Sequence, residues 1–430
     1  MAEEKKIKIL TISDHPFSPS GVGTQTRYVL EALLRTGKFQ IISLAGAMKH
    51  QNYNPQKTEE WGDNLIVLPV DGYGTPDAIR SVIRNNRPDI LWFMTDPRFY
   101  EWLWAIENEI RPLMPMIYYH VWDNYPYPKF NEKFYSSNDF IASISKVTDD
   151  IVTTVAPNVE SEYVPHAVDK RWFKKLPEDD IDKAKNKIFQ DNLYDEDGEE
   201  KMVFFWNNRN ARRKQSGCLL WWFKEFLDKI GHDKAVLMMH TEPKDEHGQD
   251  LEVITKELDL LEGEVVFSTT KLQPEHLAQL YNAVDCTINI SDAEGFGLAT
   301  LESLACGTPI IVNMTGGLQE QVTDGENWFG IGIEPCAKSI IGSQQVPYIY
   351  EDRVHKGDFL AAIEKMYNLW KKKDPEYDAW IQGGIEHVKK NYNFENFNKQ
   401  WVEIFEKVHE QHGSWETRKG YKTWELREVA

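Results

Sequence analysis

The sequence predicts an α/β protein built from two doubly wound, Rossmann-like domains. The chain has 430 residues, which exceeds one small module and suits two domains of about 200 residues. Short β-branched runs alternate with helical patterns, and strands separated by helices form a parallel sheet through right-handed crossovers. A charged interval at 171–201 lacks a strand pattern and divides the alternation into two series.

The two series define the predicted domains. The first domain covers 1–170, with strands expected at 7–13, 40–45, 65–70, 90–94, 116–120 and 140–143, and helices at 24–35 and 76–85. The second covers 171–399, with strands expected at 202–206, 235–239, 264–268, 286–290 and 309–312. From Asp374 onward the pattern is helical, and we expect the helices of 400–430 to complete the first domain.

Composition excludes several classes of protein. Asp and Glu outnumber Lys and Arg by 68 to 49, which gives a net charge of −19. This balance argues against a nucleic-acid partner, because neutralising phosphates needs a positive surface. The four cysteines match no zinc or CxxC spacing, so we expect reduced thiols, no metal site and a cytoplasmic location. No run of ~18 apolar residues predicts a membrane span, and no basic amphipathic helix supports membrane contact.

A glycine-containing loop follows the first predicted strand. It includes Gly21, Val22 and Gly23 and leads into a helix. Glycines at a helix start let backbone amides approach an anion, so a phosphate is one ligand to expect; a plain turn explains the residues equally well. The run lacks the third glycine of a dinucleotide fingerprint, and no acid ends the second strand, so an NAD enzyme is disfavoured.

The segment with the most chemical information runs from Ser291 to Glu302. Two glycines bracket Phe296 where a helix over 298–305 is expected, and Glu302 falls within the apolar stripe of that helix. A buried unpaired carboxylate costs several kcal/mol, so Glu302 needs partners. A salt bridge or backbone cap inside the fold would supply them, and so would the hydroxyls of a ligand.

Glu294 and Glu302 do not suit the carboxylate pair of a glycosidase. Eight residues of helix rise ~12 Å, and Glu294 lies before the helix. We therefore expect a separation beyond the ~5 to 9.5 Å of hydrolase pairs. The two side chains are better placed to hold two ends of one long ligand.

These residues carry a resemblance to a known family. Glu294 and Glu302, with seven residues between them, stand in Glu-Gly-Phe-Gly-Leu and precede Ala-Cys-Gly-Thr-Pro. The segment resembles the E-x7-E motif of the retaining GT-B glycosyltransferases of family 4. The resemblance implies two Rossmann-like domains facing a central cleft, with C-terminal helices crossing back. It also implies that Glu302 holds the nucleotide ribose, that Glu294 contacts the sugar, and that the backbone of Phe296, Gly297 and Leu298 lies against the diphosphate and sugar.

A second family feature is a pair of cations after the first strand of the C-terminal domain. Arg209 and Lys214 match it in spacing. Two cations beside a diphosphate neutralise the charge that develops on the leaving group. Arg212 and Arg213 are additional, and we expect them to be solvated. The family's glycine-rich loop of the N-terminal domain corresponds to 21–23.

The remaining site residues lie in the predicted N-terminal domain. The resemblance places His120, at a strand end, near the transferred sugar, where it would support the reaction centre; a structural histidine is the alternative. Aromatic residues are dense at 92–135, and core packing or a subunit interface accounts for most of them. Trp122, Asp96 and Asp123 are candidate acceptor contacts.

The sequence thus favours a retaining, metal-independent transferase that needs no cofactor. Its substrates would be a nucleotide-diphosphate sugar and a hydroxyl acceptor such as a glycan, glycolipid, small molecule or polymer. Three alternatives stay open: a GT-B sugar-nucleotide epimerase, a catalytically inactive glycan- or nucleotide-binding protein and, against the acidic balance, a nucleic-acid glycosylating enzyme. The donor, the acceptor, the linkage and the oligomeric state do not follow from the sequence.

Overall fold

A computed structural model describes residues 5–122, 124 and 127–421. They form two compact units. The first unit contains the described residues of 5–122, 127–166 and 395–421, and the second contains 124 and 167–394. Each unit has its own parallel sheet, as the alternating pattern predicts.

The sheet of the first unit has eight strands in the order β3-β4-β2-β1-β5-β6-β7-β8. Neighbouring strands are parallel except β3, which pairs antiparallel with β4. The strands are β1 (Ile7–Asp14), β2 (Phe39–Gly46), β3 (Gln56–Lys57), β4 (Leu65–Pro69), β5 (Ile90–Thr95), β6 (Met116–His120), β7 (Phe140–Ser143) and β8 (Glu160–Tyr163). The helices are α1 (Gly21–Leu34), α2 (Pro76–Asn86), α3 (Glu101–Trp104), α4 (Glu107–Ile110), α5 (Glu132–Ser136) and α6 (Lys146–Val155).

The main sheet of the second unit has six strands in the order β11-β10-β9-β12-β13-β14, with every neighbouring pair parallel. The strands are β9 (Met202–Asn207), β10 (Ala235–His240), β11 (Val265–Ser268), β12 (Cys286–Asn289), β13 (Ile310–Asn313) and β14 (Gly330–Ile333). The helices are α7 (Glu178–Phe189), α8 (Ser216–Ile230), α9 (Leu251–Glu257), α10 (Pro274–Asn282), α11 (Leu298–Ala305), α12 (Leu318–Val322), α13 (Lys356–Lys371) and α14 (Pro375–Asn391).

A separate hairpin stands between β14 and α13. Its strands are β15 (Ala337–Ile341) and β16 (Ile349–Arg353), which pair antiparallel. The sequence pattern does not predict this hairpin, because β16 reads Ile-Tyr-Glu-Asp-Arg and buries the charged Glu351 and Asp352. Strand β8, Glu-Ser-Glu-Tyr, was missed for the same reason: it lacks an apolar run.

The last helix, α15 (Phe394–His412), packs in the core of the first unit. Trp401 is fully buried, and its ring centroid lies 4.8 Å from that of Tyr119 and 6.0 Å from that of Trp92. One turn later, the ring of Phe405 meets that of Phe39 at 6.2 Å. These contacts explain the Trp and Phe in an otherwise charged helix.

Most aromatic side chains of the 92–135 stretch form the core of the first unit, as expected. Trp92, Tyr100, Tyr118 and Tyr119 have no exposed surface. Phe99, with 47% of its surface exposed, differs from them. Among the described residues, no helix combines the length and the apolar character that a membrane crossing needs.

Candidate functional site

The segments that follow β9 and β12 hold most of the residues predicted for the donor: Arg209, Lys214, Glu294 and the start of α11 with Glu302. These strands are neighbours in one parallel sheet. The carboxyl ends of parallel strands meet at the same edge, so the loops after them come together there. Within these loops, the residues around Glu294 and the residues around Glu302 form two distinct environments.

Glu294 lies in a cluster of cations. Lys214 Nζ donates a hydrogen bond to Glu294 Oε2, and Asn289 Nδ2 donates to the same oxygen at 3.3 Å. Arg213 Nη1 donates to the carbonyl oxygen of Ala293, one residue away. Burial opposes ionisation of Glu294, but the charges of Lys214 and Arg213 overcome this and hold its pKa below the usual value. The carboxylate is therefore ionised at neutral pH.

Glu302 has a different environment, in the second turn of α11. Tyr281 Oη donates a hydrogen bond to Glu302 Oε2 at 3.1 Å and accepts one from Asn207 Nδ2 at 2.9 Å. Among the described residues, no basic side chain lies within ion-pair distance of Glu302. Burial raises the pKa of Glu302 to about 8, and the hydrogen bond from Tyr281 offsets only part of this. The apolar stripe therefore contains a carboxyl group with one neutral donor among the described residues.

The start of α11 is formed by glycine-dependent packing. Gly297 precedes the helix at φ 91°, where its missing side chain leaves the first-turn amides without a side-chain cap. A Cβ at this position would lie 2.6 Å from Leu318 Cδ2, and one at Gly316 would lie 1.7 Å from the carbonyl oxygen of Glu294. The amide of Gly317 donates to that same oxygen at 3.1 Å. The loop before α12 therefore packs directly against the backbone of the Glu-Gly-Phe-Gly segment.

Phe296 and Leu298 complete the segment. Phe296 is buried, and its carbonyl oxygen accepts a hydrogen bond from Gln321 Nε2 at 2.6 Å. Leu298 is half-buried as the first residue of α11. Gln321 also accepts from Thr300 Oγ1 at 2.6 Å, so one side chain of α12 bonds both the segment before α11 and the first turn of that helix.

Gly21 and Gly23 lie in the first turn of α1 and not in a loop before it. Helix α1 begins at Gly21, three residues before the predicted start, and Ser20 is its N-cap. The amide of Gly23 donates to Ser20 Oγ at 3.0 Å, and Ser20 Oγ donates to Asp14 Oδ2 at 2.5 Å. A Cβ at Gly23 would lie 2.2 Å from Ser18 Oγ, so packing alone requires glycine there.

The other basic residues after β9 are paired. Arg209 forms a bidentate pair with Asp245, with distances of 2.7 and 3.1 Å. Arg212 Nη1 donates to Glu351 Oε2 at 2.9 Å. Arg212 is exposed to solvent, as expected, but it also binds a buried carboxylate, whereas Arg213 is half-buried and contacts the motif backbone. Sequence alone does not show the partner of Arg212, because Glu351 lies on the hairpin that was not predicted.

The candidates in the first unit lie at strand ends but have local partners. His120 has no exposed surface and pairs with Tyr135 Oη at 2.9 Å, and burial lowers its pKa to about 3. Trp122 is buried, with its ring 6.0 Å from that of Phe130. Asp96 accepts hydrogen bonds from the Arg98 amide and guanidinium at 2.7–2.9 Å. Asp123 lies outside the described residues.

Two functional candidates escaped the sequence analysis. Tyr281 and Asn207 connect Glu302 to the end of β9. Asn207 directly follows the predicted strand at 202–206, where site residues are expected in a parallel sheet. Tyr281 lies on α10, 21 residues before Glu302, and no local pattern links the two.

The segment that contains the motif matches a known family. Residues 228–341 match the model of glycosyl transferases group 1. A D-inositol 3-phosphate glycosyltransferase from Acidothermus cellulolyticus is 42% identical over 69 residues, which are 16% of this chain and 15% of the relative. The corresponding protein from Corynebacterium urealyticum is 29% identical over 132 residues, 31% of this chain and 25% of the relative. The alignments thus span a quarter or less of these relatives' length.

Solved structures share the fold over nearly the whole chain. Sucrose-phosphate synthase from Thermosynechococcus elongatus has a TM-score of 0.73 at 14% identity, with 94% of this chain and 100% of that one covered. HepE from Anabaena, in complex with UDP-glucose, has a TM-score of 0.65 at 15% identity, with 93% and 100% covered. The fold is therefore GT-B. Residues 228–341 are similar to the group 1 glycosyl transferases, which agrees with the resemblance that the Glu-x7-Glu segment carries.

Proposed function

We propose that the protein is a retaining, metal-independent glycosyltransferase that moves a sugar from a nucleotide-diphosphate sugar to an acceptor hydroxyl. The observation that carries the proposal is the contrast within the Glu-x7-Glu segment. Glu294 is ionised and held by Lys214, while Glu302 is a half-buried carboxyl group to which, in the described part of the chain, a single neutral group donates. One end of the segment suits a charged group, and the other suits a neutral polyol.

Glu302 would bind the ribose of the donor. A carboxylate that accepts hydrogen bonds from two vicinal hydroxyls gains the partners that an unpaired buried charge lacks. Such bonds favour the ionised form, so ligand binding should lower the pKa of Glu302 from about 8 and release a proton at neutral pH. Tyr281 would hold the carboxylate in place through its hydroxyl.

The diphosphate would lie at the start of α11. Its first-turn amides have no side-chain cap, and a helix N-terminus carries a partial positive charge that favours an anion. Lys214 and Arg213 add two cations beside Glu294. Arg209 would join them only after its pair with Asp245 loosens. We therefore assign Arg209 a smaller part in stabilising the charge of the diphosphate.

The transfer step needs no protein nucleophile. The bond between the anomeric carbon and the diphosphate oxygen breaks, and the acceptor oxygen forms its bond to that carbon on the same face. The acceptor proton passes to a phosphate oxygen of the leaving nucleotide diphosphate, so atoms and charge balance. Lys214, Arg213 and the α11 amides would stabilise the charge that develops on the leaving group, which supports a mechanism without a metal ion.

His120 would contribute as a neutral imidazole. Burial keeps its pKa at about 3, so it carries no charge at neutral pH. A role near the transferred sugar would therefore be hydrogen bonding and not proton transfer. Asp96, Trp122 and Asp123 remain predictions for the acceptor side.

Thermal unfolding with a panel of nucleotides tests the donor assignment. UDP and UDP-glucose come first, because a structure with the same fold is a UDP-glucose complex; GDP and GDP-mannose follow. A ligand at about 100 times its dissociation constant adds ~2.7 kcal/mol of stability. Glu302→Ala should unfold near the wild-type temperature without ligand and lose the ligand-induced increase. Normal binding and turnover by that variant would refute the donor site.

Product analysis tests the reaction. Enzyme, donor and D-inositol 3-phosphate form a first acceptor trial, suggested by the matched relatives. The proposal predicts a new α-linked glycoside from an α-linked donor, in the presence of a chelator. A new sugar-nucleotide epimer from donor alone would favour the epimerase instead.

A further inference from the structure

The hairpin β15–β16 is fixed to the donor loops by buried charges. Its outer strand, β15, is largely exposed, with 64% of the Ile340 surface accessible, whereas Glu351 and Asp352 on β16 are 2% and 7% exposed. An isolated two-stranded hairpin is marginally stable at best in water. The anchoring of β16 therefore decides where this hairpin lies.

Glu351 is the centre of the first anchor. It accepts hydrogen bonds from Arg212 Nη1 at 2.9 Å and from Arg353 Nη2 at 2.9 Å. Arg353 Nη1 reaches across to Asp292, the residue two positions before Glu294. The buried Glu351 carboxylate thus has two guanidinium partners, and removing one charge from such a group leaves the others without compensation.

Asp352 provides the second anchor through its backbone and side chain. Its amide donates to the carbonyl oxygen of Asp292 at 2.9 Å, and its Oδ2 accepts from Thr315 Oγ1 at 2.7 Å. Its carbonyl oxygen accepts from Asn313 Nδ2 at 3.2 Å. Strand β16 is thus joined to the loops after β9, β12 and β13.

The residues next to these anchors are the ones that face the donor in the proposed function. Arg212, Arg213 and Lys214 are consecutive, within one 3-10 turn. Arg212 is bonded to the hairpin, while Arg213 and Lys214 are directed to Ala293 and Glu294. The amide of Asp292 also donates to the carbonyl oxygen of Arg213 at 2.8 Å. The hairpin therefore holds both the turn that carries Lys214 and the loop after β12 that carries Glu294.

We propose that Glu351 and Arg353 of the hairpin are positioning residues that hold Lys214 and Arg213 in place for the donor diphosphate. The inference rests on the proposed function, since it concerns the same donor site. Neither residue touches the ligand in this account. Their effect passes through Arg212 and Asp292 to the Lys214–Glu294 pair.

The consequence is a specific defect in diphosphate binding. UDP and UMP share the base, the ribose and the first phosphate, so the second phosphate alone distinguishes them. If Lys214 loses its position, the affinity for UDP should fall and the affinity for UMP should stay almost unchanged. A general loss of structure in the second unit would lower the affinities for UDP and UMP to the same degree.

Calorimetric titration of the full-length protein with UDP and UMP tests the inference, with GDP and GMP as the second pair. Glu351→Gln should lower the affinity for the diphosphate about 10-fold and the affinity for the monophosphate by less than 2-fold. Arg212→Gln removes the same ion pair from its exposed side, where 60% of the side-chain surface is accessible, and should reproduce the effect if Glu351→Gln folds poorly. Ile340→Ala, on the exposed strand, is the matched control and should leave both affinities at wild-type values.

The outcomes distinguish a failure of the positioning role from a failure of the proposed function. If the wild-type protein prefers the diphosphate and both variants keep that preference, the positioning role is wrong and the proposed function stands. An equal loss of affinity for both ligands would show that the hairpin only stabilises the unit, and the positioning role would be wrong. If the wild-type protein binds neither UDP nor GDP, the proposed function fails, and the positioning role fails with it.

Discussion

The starts of α1 and α11 share a sequence pattern and differ in their surroundings. Each follows a strand of a parallel sheet, and each contains two glycines separated by one residue, at 21–23 and 295–297. At α1 the Gly23 amide is bonded to Ser20, whose hydroxyl is bonded to the Asp14 carboxylate. That helix start already has an internal cap and a negative charge beside it.

At α11 the N-cap is Gly297, which offers no side-chain acceptor. Glu294 lies next to it, with its Cγ 3.5 Å from the position that a Cβ of residue 297 would take, and it is paired with Lys214. The glycine pattern is therefore not what distinguishes an anion site. The nearby cations and the lack of an internal cap make α11 the start that suits a diphosphate.

The largest effect should come from removing the cation at α11. Lys214→Ala leaves Glu294 buried without its main partner, and we expect it to lower the free energy of unfolding by about 3–5 kcal/mol. Urea denaturation measures this loss. The double variant Lys214→Ala/Glu294→Gln removes both charges and should recover part of the stability. No recovery would mean that the ion pair is not the source of the loss.

A second prediction uses the raised pKa of Glu302. Its folded-state pKa of about 8 exceeds the ordinary value of 4.5, so between these values the folded state binds more protons than the unfolded chain. Stability from this group is therefore present at low pH and lost as pH rises toward 8. The wild-type protein should lose roughly 2–3 kcal/mol relative to Glu302→Gln between pH 6 and pH 9. Parallel pH profiles of the two proteins would contradict it.

A matched pair of glycine substitutions tests the comparison directly. Gly297→Ala places a side chain at φ 91° and against Leu318, and Gly23→Ala places one against Ser18. Each should cost about 1–3 kcal/mol of stability. In thermal unfolding with UDP, only Gly297→Ala should also lose the ligand-induced shift. Loss of that shift in Gly23→Ala would place the start of α1 in the donor site.

The smallest effect should come from the cap of α1. Ser20→Ala removes the acceptor for the Gly23 amide and should cost about 1 kcal/mol. Because we place no phosphate there, UDP affinity should stay within 2-fold in calorimetric titration. An increase in affinity would show that the internal cap competes with a ligand, and a decrease would show that Ser20 binds one.

Regular patterns in the sequence allowed much of the fold to be predicted. Buried parallel strands such as Ile90–Thr95 read as continuous apolar runs, and the helix at 298–305 has the predicted bounds. The hairpin could not be predicted, because β16 buries Glu351 and Asp352 through partners distant in sequence.

The same distinction holds for the site. Glu294 and Glu302 stand out by their spacing, and their opposite pKa shifts do not follow from it. Those shifts depend on Lys214, 80 residues from Glu294, and on the lack of a cation beside Glu302 among the described residues. Long-range contacts of this kind have no local signal.

Proton release on nucleotide binding tests the central claim most directly. Titration of UDP into the wild-type protein at pH 7, in buffers of different ionisation enthalpy, counts the protons released. A carboxyl group with a pKa of about 8 is about 90% protonated at that pH, and binding of the ribose hydroxyls would ionise it. The account predicts that the wild-type protein releases about 0.9 proton more per UDP than Glu302→Gln does. Equal release by the two proteins, with UDP bound by both at the same affinity, would contradict it.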